Sequence, residues 1–418
     1  LPVSFRKLFV RTKTTLIALT VLVPVVLAGC AATPSPAATD ADTPHGYVEG
    51  ASEATEPQVH AATIDADGEL ALLDLLSGES SVIGQLDDTA AVSTDGRYVF
   101  ASSESGELSI VDTGVWTVDH EDHSHYYRAS PGEVGVVGGD GDATVHTAGA
   151  LTGVFFAESG EGVVLDHTAL GDGEVVELAH IDGEPHDGAL VPLGGNIIAT
   201  EAGADGTSTA LQVFTAEGEP VDGSTAECVG FSGSITTPVG AAFGCADGAV
   251  LATVDSDEAI AFERIPFPAG STVAATDFGA RKGRPSVAAL AGTTGAWLLD
   301  TRERTWTLLA TEVPLLQVDA ADDRDGNVVA LAADGRILVL DPLSGAIVAA
   351  TAPLHPPAVT VADAELLAGV ELTVDTARAY INAPAEGLVY EIDYADGARI
   401  AREFPIPGSP LFLAETGR

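Results

Sequence analysis

From Gln58 onward, short apolar runs of Val, Leu, Ile and Ala alternate with Asp-Gly, Ser-Gly and Glu-Gly turns. No sustained 3.6-residue period interrupts them, so the pattern predicts strands joined by tight turns. The segments "DADGELALLDLLSGESSVIGQL" from Asp65 and "STDGRYVFASSESGELSIVDTGVWTV" from Ser93 share one layout. So do "LAADGRILVLDPLSGAIVAAT" from Leu331 and "TARAYINAPAEGLVYEIDYADGARIAREF" from Thr376. Each reads as a turn, a strand, a small-residue turn, a strand ending near Asp, a further turn and an outer strand. A hairpin-rich unit recurring along a chain is the signature of an all-β fold, a single β-propeller.

Residues 59–418 accommodate eight blades of about 45 residues, with seven of about 51 as the alternative, both near typical propeller repeats. Blade starts are expected near Val59, Asp88, Ala143, Glu184, Cys228, Ser271, Leu315 and Ala358. The C-terminal "GSPLFLAETG" is expected to pair beside the first strands and close the ring, which removes exposed sheet edges. A β-sandwich array is the competing architecture; the uniform texture and the absence of linkers argue against it.

The first residues have a different texture. Arg6, Lys7, Arg11 and Lys13 precede the apolar run "LIALTVLVPVVLAGC", which ends in small residues and Cys30. That is the layout of a secretory signal, and the run is too short for a spanning helix of about 20 residues. "LAGC" resembles the lipobox of bacterial lipoproteins, which implies lipidation at Cys30 and attachment to the membrane. The expected organisation is a signal over 1–29, a lipid-anchored disordered linker over 30–57 and the propeller over 58–418. The linker segment "AATPSPAATDADTPHGYVEGASEATE" is rich in Ala, Pro, Thr and Glu and lacks apolar periodicity.

Charge excludes one class of partner. The chain carries 18 basic against 62 acidic side chains, a net charge of −44, and nucleic-acid binding depends on neutralising phosphates. Such a surface favours solubility in salt and attraction of cations. Besides Cys30, Cys228 and Cys245 form an even pair, which in an extracytoplasmic chain points to a disulfide rather than a metal site.

Candidate chemistry resides in the histidines. The chain has only 10, yet "DHEDHSHYY", Asp119 to Tyr127, holds His120, His123 and His125 among Asp119, Glu121 and Asp122. Imidazole nitrogens with carboxylate oxygens suit Zn²⁺ or Cu²⁺. The acids are candidate ligands, Asp122 foremost, or acceptors that fix the ring tautomers. Tyr126 and Tyr127 are expected to pack. On a regular strand, His123 and His125 share a face and His120 opposes them, so a loop between blades, crossing the channel mouth, is the expected setting. His146 and His186 read as starts of innermost strands from neighbouring blades, able to converge on the axis. His167 and His180 read as outer-strand residues without a role in binding.

The lipobox, "VDHEDHSHYYRA", "PHDGALVPLGG", "CVGFSG" with "AAFGCADGAVL", and "AYINAPAEGLVYEIDYADGARIAREFPIPGSPLFLAETGR" together resemble AztD-type zinc metallochaperones over most of the chain beyond the linker. The resemblance implies an extracytoplasmic β-propeller that binds Zn²⁺ and hands it to the solute-binding protein of a zinc ABC transporter. It implies His120, His123, His125 and His186 as ligands and a Cys228–Cys245 disulfide. The family pattern places a histidine soon after the first disulfide cysteine, where this chain has Phe231 and Ser232. If that histidine is a ligand in the family, the departure implies a weaker site, a site rearranged around His146, or one site fewer.

Two other function classes compete with this one. Quinoprotein dehydrogenase propellers are tryptophan-rich, and this chain has 3 Trp. A metal-dependent hydrolase needs an open coordination position and a positioned base; His186 with Asp187 is the sole candidate, and no G-x-S-x-G turn occurs. A scaffold that binds partners without catalysis is the remaining alternative. The expected protein is a non-catalytic monomer.

Overall fold

The computed structural model describes residues 46–103, 105–120, 123–257, 259–293, 295–356, 367 and 369–418. Cys30 and Asp122 therefore lie outside the described residues, as do the signal and most of the linker.

Among the described residues eight four-stranded antiparallel sheets follow one another, an eight-bladed arrangement. Blade 1 is composite. Its second to fourth strands are His60–Asp65, Glu69–Asp74 and Ser80–Gln85, and its first is the C-terminal strand Pro410–Thr416. The register His60↔Thr416 through Asp65↔Pro410 closes the ring as expected. The first strands of blades 2 to 8 begin at Thr89, Ala143, Leu190, Ser234, Thr276, Leu315 and Leu372.

Burial explains the texture of the sequence. The second strand of blade 5, Gly240–Cys245, is buried at every position, because neighbouring blades cover both faces of its sheet. The outer strand Pro220–Glu227 has no buried residue and needs no apolar run. Core clusters consequently form between blades: Ile198, Leu211 and Val213 of blade 4 pack with Phe243, Val250 and the disulfide of blade 5. At about 25 cal/mol per Å² of apolar surface removed from water, such inter-blade seams dominate the stability of the ring.

The first strands surround a central cavity of about 680 Å³ that touches Val92, His146, Asp319, Glu371, Glu415 and Arg418 among others. Among the described residues no helix is long and apolar enough to cross a membrane.

Two expectations change. The histidine-rich segment lies inside blade 2, not between blades. It is an inserted hairpin, Val115–Asp119 with Ser124–Arg128, set between the third strand Glu107–Asp112 and the fourth strand Gly132–Gly138. Part of the segment expected as linker is also structured. Residues Ser52–Ala54 form a strand that pairs with the outer edge of the hairpin, completing a separate three-stranded sheet. An isolated hairpin is marginal in water, and a third strand supplies the missing partner.

Candidate metal centre

The backbone register dictates where the three histidines point. Asp119 pairs with Ser124, and the His120 N–H donates to the His123 carbonyl at 2.8 Å, so the pairing of the two strands continues to His120 and His123. Directly opposed residues of an antiparallel pair share a face, which puts His120 beside His123. His125 is two positions beyond His123 and returns to that same face. The pairing register thus overcomes the alternation that would have opposed His120 to the other two.

The rings meet accordingly. His120 and His123 stack with centroids 5.1 Å apart, and His125 stands edge-on to them at 5.4 and 5.0 Å. One ligand atom from each lies within 4.8 Å of the others, the spacing a single metal ion can bridge. Among the described residues no other group of three or more His, Cys, Asp or Glu side chains converges in this way.

Farther down this face the hairpin becomes aromatic. Trp116 lies opposite Tyr127, both buried, with stacked rings 5.2 Å apart. The Arg97 guanidinium sits 3.9 Å from the Trp116 ring and pairs with Asp112, tying the hairpin base to the second and third strands of blade 2. Stacking and cation–π contacts of this kind contribute on the order of 1 kcal/mol each. The Thr117 hydroxyl donates to the Gly417 carbonyl at 2.8 Å, fastening the hairpin to the chain just beyond the ring-closing strand.

The segment before the propeller holds the other side. The Trp116 indole N–H donates to the Gly46 carbonyl at 3.2 Å. Gly46 has φ +78°, and a Cβ there would collide with Val118, so this close approach requires glycine. Glu53 pairs with Tyr127 across the ladder, which places its side chain diagonal to His125. Its Oε1 accepts from His125 Nδ1 at 2.7 Å. Sequence reading missed Glu53 and Trp116; a three-residue strand in "GASEATEP" carries no alternation that would disclose it.

The remaining predicted residues sit elsewhere. His146 is on the first strand of blade 3 and lines the central cavity. Burial pushes its imidazole down to about 4, and its Nε2 lies 3.1 Å from Ser234 Oγ. His186 precedes the first strand of blade 4 instead of starting it. Its Nδ1–H donates to the Glu184 carbonyl at 2.7 Å, and Nε2 accepts from the Thr200 hydroxyl at 2.8 Å. With its ring also 4.9 Å from that of Phe155, His186 is engaged within the blade seam and does not meet the hairpin triad. Phe231 joins the apolar packing between blades 4 and 5, and the Ser232 hydroxyl donates to the Ala275 carbonyl at 2.7 Å.

His167 is not on an outer strand. It opens a one-turn helix, His167–Gly171, that Asp166 caps by accepting from Thr168 and Ala169 N–H groups. His180 does lie on the outer strand of blade 3, between Glu161 and Glu177. Cys228 and Cys245 form the disulfide, which joins the end of blade 4 to the second strand of blade 5.

No family model matches the chain. Two solved structures of AztD from Citrobacter koseri are similar to it. One has 18% identity and a TM-score of 0.71, over 86% of this chain and 97% of that one. The other, an apo structure, has 17% identity and a TM-score of 0.73, over 86% and 98%. The dihydro-heme d1 dehydrogenase NirN, in complex with DHE, is more distant, with 15% identity and a TM-score of 0.52 over 87% of this chain and 75% of that chain. At these identities the likeness is one of fold, and the chain shares the propeller architecture of AztD.

Proposed function

We propose that this protein is an extracytoplasmic, AztD-type zinc metallochaperone, anchored through a lipid on Cys30, that delivers Zn²⁺ to the solute-binding protein of a zinc ABC transporter. The observation that carries this reading is the convergence of His120, His123 and His125 on one face of one hairpin, with ligand atoms within 4.8 Å of one another. Asp122, next to them in sequence, is a further candidate donor. The AztD fold, the sequence elements that resemble that family and a disulfide suited to an oxidising compartment support it.

Zinc is cargo here, and the site suits cargo. Three imidazoles form a tetrahedral ion's partial shell and leave a position for an incoming ligand. A hairpin tip outside the blade cores can be approached by a partner, whose own donors replace the imidazoles one at a time. Nothing in this exchange requires the protein to catalyse a reaction.

The deciding experiment loads untagged protein with one equivalent of Zn²⁺ and presents the cognate solute-binding protein. Transfer of metal to the partner is expected, with retention against a modest chelator beforehand. In the variant with His120, His123 and His125 all changed to Ala, retention is expected to vanish. Stoichiometric binding by that variant would overturn the ligand assignment. Because Cu²⁺ outcompetes Zn²⁺ at most nitrogen and oxygen sites, selectivity is to be read with the partner present.

A further inference from the structure

The triad does not stand alone, because one of its members is held from outside the hairpin. Glu53 Oε1 lies 2.7 Å from His125 Nδ1, a hydrogen bond between a carboxylate and a ring nitrogen. A carboxylate accepts only, so the proton sits on Nδ1 and the lone pair on Nε2. In metal proteins this arrangement fixes the tautomer and orientation of a ligating imidazole and raises its basicity.

We infer that Glu53 is the positioning residue of the metal site, and that the strand carrying it couples metal retention to docking of the N-terminal segment. The inference rests on the metal reading of the triad and adds a residue outside "DHEDHSHYY" to it.

The register makes the contact specific. Ser52↔Arg128, Glu53↔Tyr127 and Ala54↔Tyr126 are paired, so Glu53 shares the face of Tyr127 and of His125 one step along. Displacing the register by one residue would turn Glu53 to the opposite face. Among the described residues nothing else pairs with this edge of the hairpin, since the sheet consists of three strands in the order Ser52–Ala54, Ser124–Arg128, Val115–Asp119. Undocking the strand removes the acceptor of His125 and the third strand of the sheet together.

Linkage then runs both ways. A metal ion that binds the oriented His125 more tightly than the released one stabilises the docked strand by the same factor. A partner that peels away residues 46–54 therefore weakens the site it is to empty, without having to compete for all three imidazoles at once.

The test uses the full chain, Zn²⁺ alone as probe, and the substitutions Glu53→Val and Glu53→Gln. Valine keeps a strand-forming side chain at an exposed position but removes the acceptor; glutamine retains a carbonyl oxygen that accepts from Nδ1–H. Competition against a chelator is expected to show zinc affinity falling about 10- to 100-fold for Glu53→Val, and only a few-fold for Glu53→Gln. In ¹⁵N spectra of the zinc-loaded wild type, His125 is expected to carry the proton on Nδ1 and the metal on Nε2, a preference lost in Glu53→Val. Zinc is expected to slow amide exchange over residues 46–56 in the wild type and in Glu53→Gln, but not in Glu53→Val. Unchanged affinity and an unchanged His125 tautomer in Glu53→Val would overturn the proposal while leaving the triad intact. Failure of the wild type to retain zinc would overturn the metal reading itself, and the positioning role with it.

Discussion

His120 and His123 face each other at the end of the hairpin ladder, their backbones joined by a 2.8 Å hydrogen bond and their rings 5.1 Å apart. The site is consequently a property of turn length as much as of histidine content. Inserting one Gly between Glu121 and Asp122 keeps every histidine but changes the hairpin loop length, on which register depends. Zinc retention against a chelator is expected to fall at least tenfold. The same insertion in a turn of blade 6 is expected to leave it unchanged. Equal retention in both proteins would show that the cluster binds as a flexible histidine-rich segment.

That dependence on register explains what could be read in the chain and what could not. Turn chemistry disclosed the blades: strands begin at Thr89, Ala143 and Leu315, next to or at the expected starts. The start expected near Glu184 came late, at Leu190, because the connection there folds back to seat His186 against Thr200. The start expected near Ala358 falls outside the described residues, and the strand of that blade begins at Leu372. Histidine density marked the candidate site, but the face each ring occupies depended on the pairing register. Glu53 left no trace, since its strand is recruited by the vacant edge of Ser124–Arg128 and not by any apolar pattern of its own.

The Cys228–Cys245 disulfide spans a short loop between blades 4 and 5, with both residues fully buried. Closing a loop of this size contributes about 3 kcal/mol in the chain-entropy model. Replacing both cysteines with Ala is expected to lower the urea midpoint correspondingly, and a reducing agent is expected to do the same to the wild type. Zinc affinity is expected to remain unchanged, because the bond lies in the inter-blade core and the triad on the blade 2 hairpin. A midpoint insensitive to both treatments would mean that the packing of Phe243 and Val250 alone secures this seam.

His180 bridges two acids on the outer face of blade 3, with Nδ1 2.6 Å from Glu161 and Nε2 3.0 Å from Glu177. The hydrogen bond to Glu161, then that to Glu177, raises its proton affinity above the ordinary value of 6.5. The folded state therefore holds this proton more tightly than the unfolded one. The associated stability is fully present below about pH 6.5 and is lost as pH rises through the raised value. His180 is half exposed, so solvent screening limits the effect to about 0.5 kcal/mol. The thermal midpoint of His180→Gln is expected to lie below wild type at pH 5.5, to match it at pH 9, and to lose the difference in high salt. A gap that persists at pH 9 would assign the loss to packing.

Asp319 presents the opposite case. It is 8% exposed on the first strand of blade 7, beside the central cavity, and its Oδ1 is buried without a hydrogen-bond partner among the described residues. Burial, then the nearby Glu371 carboxylate, raises its proton affinity well above the ordinary carboxylate range, against weaker lowering by the Val374 backbone and Arg281. A carboxyl that keeps its proton longer when folded is one the unfolded chain ionises first. Stability should thus be greatest at low pH for this group, and decline as pH rises from about 4 through the raised value. Asp319→Asn removes the ionisation and keeps the shape, so it is expected to flatten that decline and to raise the urea midpoint at pH 8 but not at pH 4. Equal midpoints at pH 8 would mean that Arg281 compensates the charge and that the cavity tolerates the ionised form. The comparison thus reads directly whether the channel wall bears a neutral acid or a carboxylate at pH 8.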